Sequence, residues 1–217
     1  ALAYSPDGKR LVGGGPDGKL KVWDARTGRK IGVAGEDKRQ IQMLAFSPDG
    51  RFLASSGSEY VVKLWDATRL DEWQESLRDF PSVRKDISTC LAFSPDSARI
   101  VVAKDDDSAR IFDVTTGQSR AELRSPGHRF LALAYSPDER WIASGGSDCT
   151  VKLWDAETGR NGHIFRGHTS AITRLAFVQR PEGLHLISTG RDGTLRYWDV
   201  NKALMPKDVS IPETQVR

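Results

Sequence analysis

The stretch LALAYSPDERWIASGGSDCTVKLWDAETGRNGHIF, residues 131–165, decides the fold. It opens on an apolar run, Leu131 to Tyr135, that stops at Ser136-Pro137-Asp138-Glu139, where proline presets φ for a β-turn. A second short apolar run, Trp141-Ile142-Ala143-Ser144, ends at Gly145-Gly146-Ser147-Asp148. Thr150 to Trp154 then alternate with period two, Thr150 and Lys152 on one face and Val151 and Leu153 on the other. Ala156-Glu157-Thr158-Gly159 turns the chain again, and His163-Ile164-Phe165 supplies a fourth strand. Four short strands joined by tight turns within about forty residues make one antiparallel sheet.

Working outward, the same unit recurs. Ser-Pro-Asp begins at Ser5, Ser47, Ser94 and Ser136, and an aromatic-Asp pair stands at Trp23, Trp65, Phe112, Trp154 and Trp198. Successive aromatics are 42, 47, 42 and 44 residues apart, and each Ser-Pro-Asp precedes its aromatic by 18. Period and internal register agree. A lone sheet of this kind cannot bury both faces, whereas sheets stacked about an axis can. The expected fold is therefore all-β, a β-propeller of four-stranded antiparallel blades with five blades present. Their expected bounds are 1–35, 36–80, 81–123, 124–165 and 166–211, with 212–217 a tail. An open arc of five would leave apolar faces uncovered, so the arc is expected to be part of a longer propeller, with a closed five-blade ring or a pairing of two arcs as the alternatives. Ala1 stands inside a first strand, and no Met begins the chain, so the N-terminus is expected to be a cut, a processing site or an artificial boundary.

Composition narrows the function classes. Of 217 residues, 38% are apolar and 28% charged, which suits a soluble, turn-rich domain and not a disordered one. The net charge of +3 is the small difference between 32 basic and 29 acidic side chains scattered along the chain, so nucleic acid is not the expected partner. No apolar run reaches membrane-spanning length and no signal-peptide pattern is present, so the expectation is a cytoplasmic protein without a membrane partner. Cys90 and Cys149 read as reduced small hydrophobes.

The strings LAFSPDGRFLASSGSEYVVKLWDA, LAYSPDERWIASGGSDCTVKLWDAETGR and RGHTSAITRLAF…LISTGRDGTLRYWDV resemble the WD-repeat family over nearly the whole chain. The SPDG and WDAxTG phrasing looks like that of bacterial members. In that family a blade is locked by a hydrogen-bonded relay of His, Ser or Thr, Asp and Trp. The resemblance assigns these roles to His168, Ser188, Asp192 and Trp198 in blade five, and to His128, Ser144, Asp148 and Trp154 in blade four. The other blades depart from it. Blade two has Ser55, Glu59 and Trp65 without a His, blade three has Val102 and Phe112 at the Ser and Trp places, and blade one has Gly13 at the Ser place.

No catalytic or metal site is expected. The four histidines make no metal-ligand spacing with cysteine or with one another, and His163 and His185 read as solvent-facing. Asp148 and Asp192 sit at equivalent places in different blades, not as an acid/base pair in one cleft. Gly13 to Gly18 lacks the Lys-Ser/Thr of a phosphate loop and aligns with a hairpin turn. Lys104-Asp105-Asp106-Asp107 reads as a solvated turn, since calcium loops need a longer ligand pattern. Three stretches break the repeat. In Leu70 to Asp86 a strand with a lengthened loop is expected, Leu77 in the fourth-strand slot and Trp73 packed under the loop, with exposure as a partner anchor the alternative. Val178 to Gly183 reads as a longer turn, and Asp208 to Ile211 as a last strand.

These readings point to a binding scaffold without enzymatic activity and without cofactor. Loops at one mouth of the propeller are expected to hold a protein or peptide partner. The candidate residues are Arg39, Ser58, Glu59, Trp73, Arg84, Asp105, Arg129, Ser147, Thr169 and Arg191. Other blades or domains of a longer parent chain are further expected partners. The alternative is a sensor or assembly domain of a larger signalling protein built on a kinase or nucleotide-driven switch. A propeller enzyme would need polar groups at the axis, where the first strands here are apolar.

Overall fold

The computed structural model describes residues 1–37, 39–57, 61–81, 90–104 and 107–204. The first sheet is β1 (Leu2–Tyr4), β2 (Arg10–Gly13), β3 (Lys19–Asp24) and β4 (Lys30–Glu36). The second is β5 (Ile41–Phe46), β6 (Phe52–Gly57), β7 (Val61–Asp66) and β8 (Arg78–Pro81). The third is β9 (Leu91–Phe93), β10 (Arg99–Ala103), β11 (Ser108–Asp113) and β12 (Ser119–Arg124). The fourth is β13 (Phe130–Tyr135), β14 (Trp141–Gly146), β15 (Thr150–Asp155) and β16 (Asn161–Arg166). The fifth has three strands among the described residues, β17 (Ile172–Arg180), β18 (Gly183–Gly190) and β19 (Leu195–Asp199), followed by the short helix α1 (Val200–Leu204). Each sheet is antiparallel between sequence neighbours, so this is a β-propeller built blade by blade.

Two turn chemistries explain the repeated tripeptides. In every Ser-Pro-Asp the serine Oγ donates to the aspartate (Ser5 to Asp7 and Ser47 to Asp49 at 2.6 Å, for example) and accepts the backbone N–H five residues on. The aspartate after each aromatic caps the next turn: Asp24, Asp113 and Asp155 accept from both the backbone and the hydroxyl of a threonine three residues on. Gly28, Gly117 and Gly159 close those turns at φ of 71°, 73° and 70°, a backbone region that side chains disfavour. Blades two and five carry Leu70 and Ala203 at that place. There the chain turns helical instead, as a 3₁₀ turn over Ala67–Arg69 and as α1.

The core lies between blades, in four clusters. Blade one's Val12, Leu20 and Val22 meet blade two's Leu53 and Trp65, and the pattern repeats from two to three, three to four and four to five. In each cluster the face carrying a blade's WD aromatic covers the small aliphatic face of the blade before it. Among the described residues no cluster joins blade five to blade one. Leu2, equivalent to the buried Leu91 and Leu133, is 70% exposed, and Leu195, equivalent to the buried Ala109 and Val151, is 65% exposed. The inner strands of all five blades line a cavity of about 300 Å³, walled by Leu2, Met43, Leu44, Leu91, Leu133 and Leu175.

Four expectations are corrected. Phe80, not Leu77, fills the fourth-strand slot of blade two: it pairs with Val62 and packs on Phe112 with ring centroids 5.2 Å apart, while Leu77 is 54% exposed. Trp73 does not pack under its loop but is 58% exposed. Val178 to Gly183 is no long turn: β17 and β18 extend to pair Arg180 with Gly183 across the tight turn Pro181-Glu182. His185, which lies on that extension, is buried and stacks on Tyr197 at 4.8 Å instead of facing solvent. Asp208 to Ile211 lies outside the described residues.

Candidate functional site: the relay end of the blades

The loops at one end are built from the middle hairpin turns and the connections between blades. In blade four Trp154 Nε1 donates to Ser144 Oγ at 2.8 Å. Ser144 Oγ lies 2.9 Å from His128 Nε2, and His128 Nδ1 lies 2.7 Å from Asp148. An indole is only a donor, so the serine hydrogen goes to Nε2 and the imidazole proton sits on Nδ1, facing the carboxylate. Blade five repeats the arrangement: Trp198 to Ser188 at 2.9 Å, Ser188 to His168 at 2.8 Å, His168 to Asp192 at 2.8 Å. The shorter loop before His128 does not change the geometry. Ser144, Ser188, His128 and His168 are buried, so each would carry a desolvation cost of a few kcal/mol if unpaired. In blade two Trp65 Nε1 donates to Ser55 Oγ at 2.9 Å. In blade one a Cβ on Gly13 would crowd the Trp23 ring, so Trp23 lies where a serine would stand.

The carboxylates are strongly held. Burial opposes ionisation of Asp148, yet bonds from Lys152, Thr150 and His128 outweigh it and bring the carboxyl down to about 2. Burial opposes ionisation of Asp192 too, and the backbone N–H groups of Thr169 and Thr194, with His168 and the Thr194 hydroxyl, keep it well below the usual carboxylate range. Burial pushes His128 below its ordinary 6.5, only partly offset by Asp148. In all three groups the unfolded chain takes up a proton before the folded one. Stability is therefore complete above pH 6.5 and falls as His128 is forced to protonate, then falls further below 3.8 as Asp148 titrates toward about 2. Urea midpoints across this range are expected to show both limbs, and His128→Gln should flatten the upper one and shrink the lower, since it also removes one of the groups that hold Asp148 ionised.

These bonds tie neighbouring loops. Ser147 N donates to Arg129 O at 3.1 Å, Arg191 N to Ala171 O at 2.8 Å and Thr169 N to Asp192 at 2.9 Å. Gly127 N donates to Asp107 at 2.7 Å, and Asp37 N donates to Gly18 O at 2.7 Å. Gly18 sits at φ 70° with the Asp37 and Arg39 carbonyls where a side chain would go, so that turn and loop fit only through glycine. Arg129 is thereby set beside Ser147, and Thr169 beside the Asp192 turn with Arg191; Arg39, Arg129, Ser147, Thr169 and Arg191 are all exposed. Trp73 is not with them: it follows the β7–Asp66 turn at the opposite end. Ser58, Glu59, Arg84 and Asp105 lie outside the described residues. Among the described residues no three His, Cys, Asp or Glu side chains gather as a metal set.

Sequence-equivalent sheets about an axis, each joined to the next through an aromatic-bearing face and tied at one end by polar relays, define a repeat propeller. Residues 1–24, 32–66, 76–113, 118–155 and 159–199 match the WD40 family, described as the WD domain or G-beta repeat, and the chain belongs to that family. Repeats of this family generally serve as protein-interaction scaffolds and are typically non-enzymatic. Among curated proteins, 28 residues are 64% identical to the Periodic tryptophan protein 2 homolog of Mus musculus, covering 13% of this chain and 3% of that protein. Among solved structures, the computationally designed Ika8 protein matches with TM-score 0.75 and 28% identity over 92% of this chain and 57% of that one. The chain thus spans a small part of the first and just over half of the second. No helix among the described residues is long and apolar enough to cross a membrane.

Proposed function

We propose that this chain is a non-enzymatic scaffold that binds a peptide or protein domain on the relay end, through Arg39, Arg129, Ser147, Thr169 and Arg191. The observation that carries this reading is the pinning of that surface. Exposed, chemically varied side chains stand on loops whose backbones are bonded to one another, so little conformational freedom is lost on binding. The axis supports a scaffold over a propeller enzyme, since Gln42, Cys90, Thr173 and Arg174 stand there among leucine, methionine and alanine without a paired acid and base. A cytoplasmic setting suits the free thiols Cys90 and Cys149. The uncovered faces of blades one and five favour further WD-type blades as neighbours, in the seven- or eight-bladed ring that the resemblance to the WD-repeat family implies.

A random peptide library selected against the chain tests the first part. Selected peptides should lose about tenfold or more in affinity for an Arg129→Ala, Arg191→Ala variant whose melting temperature is unchanged. Selected peptides that bind this variant as they bind the parent chain would sink the assignment.

A further inference from the structure

Leu70 to Leu77 lengthens the repeat, and the structure builds it firmly. Leu70 is buried between blades one and two. Arg10 donates to both oxygens of Asp71, at 3.0 and 2.8 Å. Gln74 N donates to Ala34 O on β4 at 2.8 Å. The Gln74 side-chain amide clasps Asp66, accepting its N–H at 3.2 Å and donating to its carbonyl at 2.9 Å. Between the anchors at Asp71 and Gln74, Trp73 points its ring to solvent. A bulky aromatic held this way loses little freedom on binding, and tryptophan is the residue most enriched where binding energy concentrates.

Beside Asp71 runs a groove of about 480 Å³, walled by Arg10, Asp24, Arg29 and Lys30 and including the exposed Ile31. Of its two carboxylates only that of Asp71 is paired with a cation. Asp71 is held by Arg10, and Asp24 accepts from Thr27 and the backbone of Arg26. Among the described residues the side chains of Arg29 and Lys30 have no carboxylate partner. The groove therefore sets Arg29 and Lys30 against the one remaining carboxylate, Asp24, a surplus of one positive charge beside the exposed Ile31, and Trp73 follows two residues along the chain from Asp71.

We infer that this rim, at the end away from the relays, binds an extended segment of a partner protein in which a carboxylate side chain neighbours a bulky apolar one. Arg29 and Lys30 take the carboxylate, and Ile31 and Trp73 take the apolar group. A nucleic acid does not fit, because Asp24 and Asp71 in the same groove repel a continuous polyanion. The surface is separate from the relay end, so either assignment can fail without the other.

Fluorescence anisotropy of the full chain with a labelled hexapeptide of alternating Glu and Leu tests it, against matched Lys-Leu and Gln-Leu peptides. The expected result is preference for Glu-Leu, weakened by salt. Trp73→Ala and the double variant Arg29→Glu, Lys30→Glu should each weaken it about tenfold or more with the melting temperature unchanged. Arg129→Ala should leave it as it is. No binding at about 1 mM peptide, equal binding of the Lys-Leu peptide, or wild-type affinity in the Trp73 and charge-reversal variants overturns the assignment. So does binding that is lost only when Leu195 and Tyr197 are replaced by Asp.

Discussion

Replacing Trp154 by alanine is expected to remove about 3–5 kcal/mol of folding stability, a large part of the ~5–15 kcal/mol that a domain of this kind possesses. The ring is 1% exposed and lies 5.7 Å from the Phe130 ring, within the cluster that Ile111, Leu123 and Leu133 complete between blades three and four. Its loss opens a cavity in a seam that both blades share, and the seam is not free to collapse, because the relay holds its edge. Trp154→Phe separates packing from hydrogen bonding: it keeps most of the volume and deletes the indole donor to Ser144. Blade three already uses that solution, with Phe112 and Val102 in the Trp and Ser places and both in one apolar cluster. A Trp154→Phe, Ser144→Val pair should nonetheless cost more than blade three's precedent suggests, since the buried His128 Nε2 then loses its bond to Ser144. Guanidinium denaturation followed by circular dichroism reads these differences. Trp73→Ala serves as the control and should change stability by less than about 0.5 kcal/mol, as expected for a ring in solvent. Equal losses at positions 73 and 154 would contradict the account of where the core lies.

Much of this was legible from the sequence because the repeat ties polar residues to fixed offsets. A serine ten residues before the aromatic and an aspartate six before it can only fall on the buried strand and on its hairpin turn. What stayed illegible follows from lost offsets. In blade two the glycine that closes the turn after the aspartate is replaced by Leu70, so the turn runs on into a 3₁₀ turn and a longer loop. The count from Trp65 then no longer locates β8. Leu77 and Phe80 are both apolar, and only the stacking of Phe80 on Phe112 selects between them. Ala203 at the same place in blade five lets α1 form, with Asp199 accepting from Lys202 N at 2.8 Å. The absent glycines were the readable signal in both cases. The burial of His185 escapes the sequence for a different reason. Alternation tells which residues share a face but not whether a neighbour covers it, and the longer hairpin brings Tyr197 over the imidazole.

The same offsets carry the second large expected effect. Ile187, Leu195 and Tyr197 of blade five stand where blade three has Val101, Ala109 and Ile111, and those three are fully buried under blade four. Covering Leu195 and Tyr197, which are 65% and 45% exposed, with a sheet that presents the aromatic face should contribute about 2–3 kcal/mol, from ~1.5–3 kcal/mol per large side chain taken from full exposure to burial. In stacked repeats such an interface adds nearly directly to the stability of the array. Appending a second copy of residues 124–165 after Arg217 provides that face. The extended chain is expected to unfold at higher denaturant than the parent. The sharper reading comes from the Leu195→Asp, Tyr197→Asp double variant. In the parent chain Leu195 already meets water, whereas Tyr197 is half-exposed and stacks on His185, so the cost should be about 1 kcal/mol, well below that in the extended chain. In the extended chain the same change buries two carboxylates in an apolar seam and should cancel most of the gain. Equal costs in both backgrounds would mean that blade five does not present a blade-docking face, and the reading of this chain as an arc of a larger ring would fall with it.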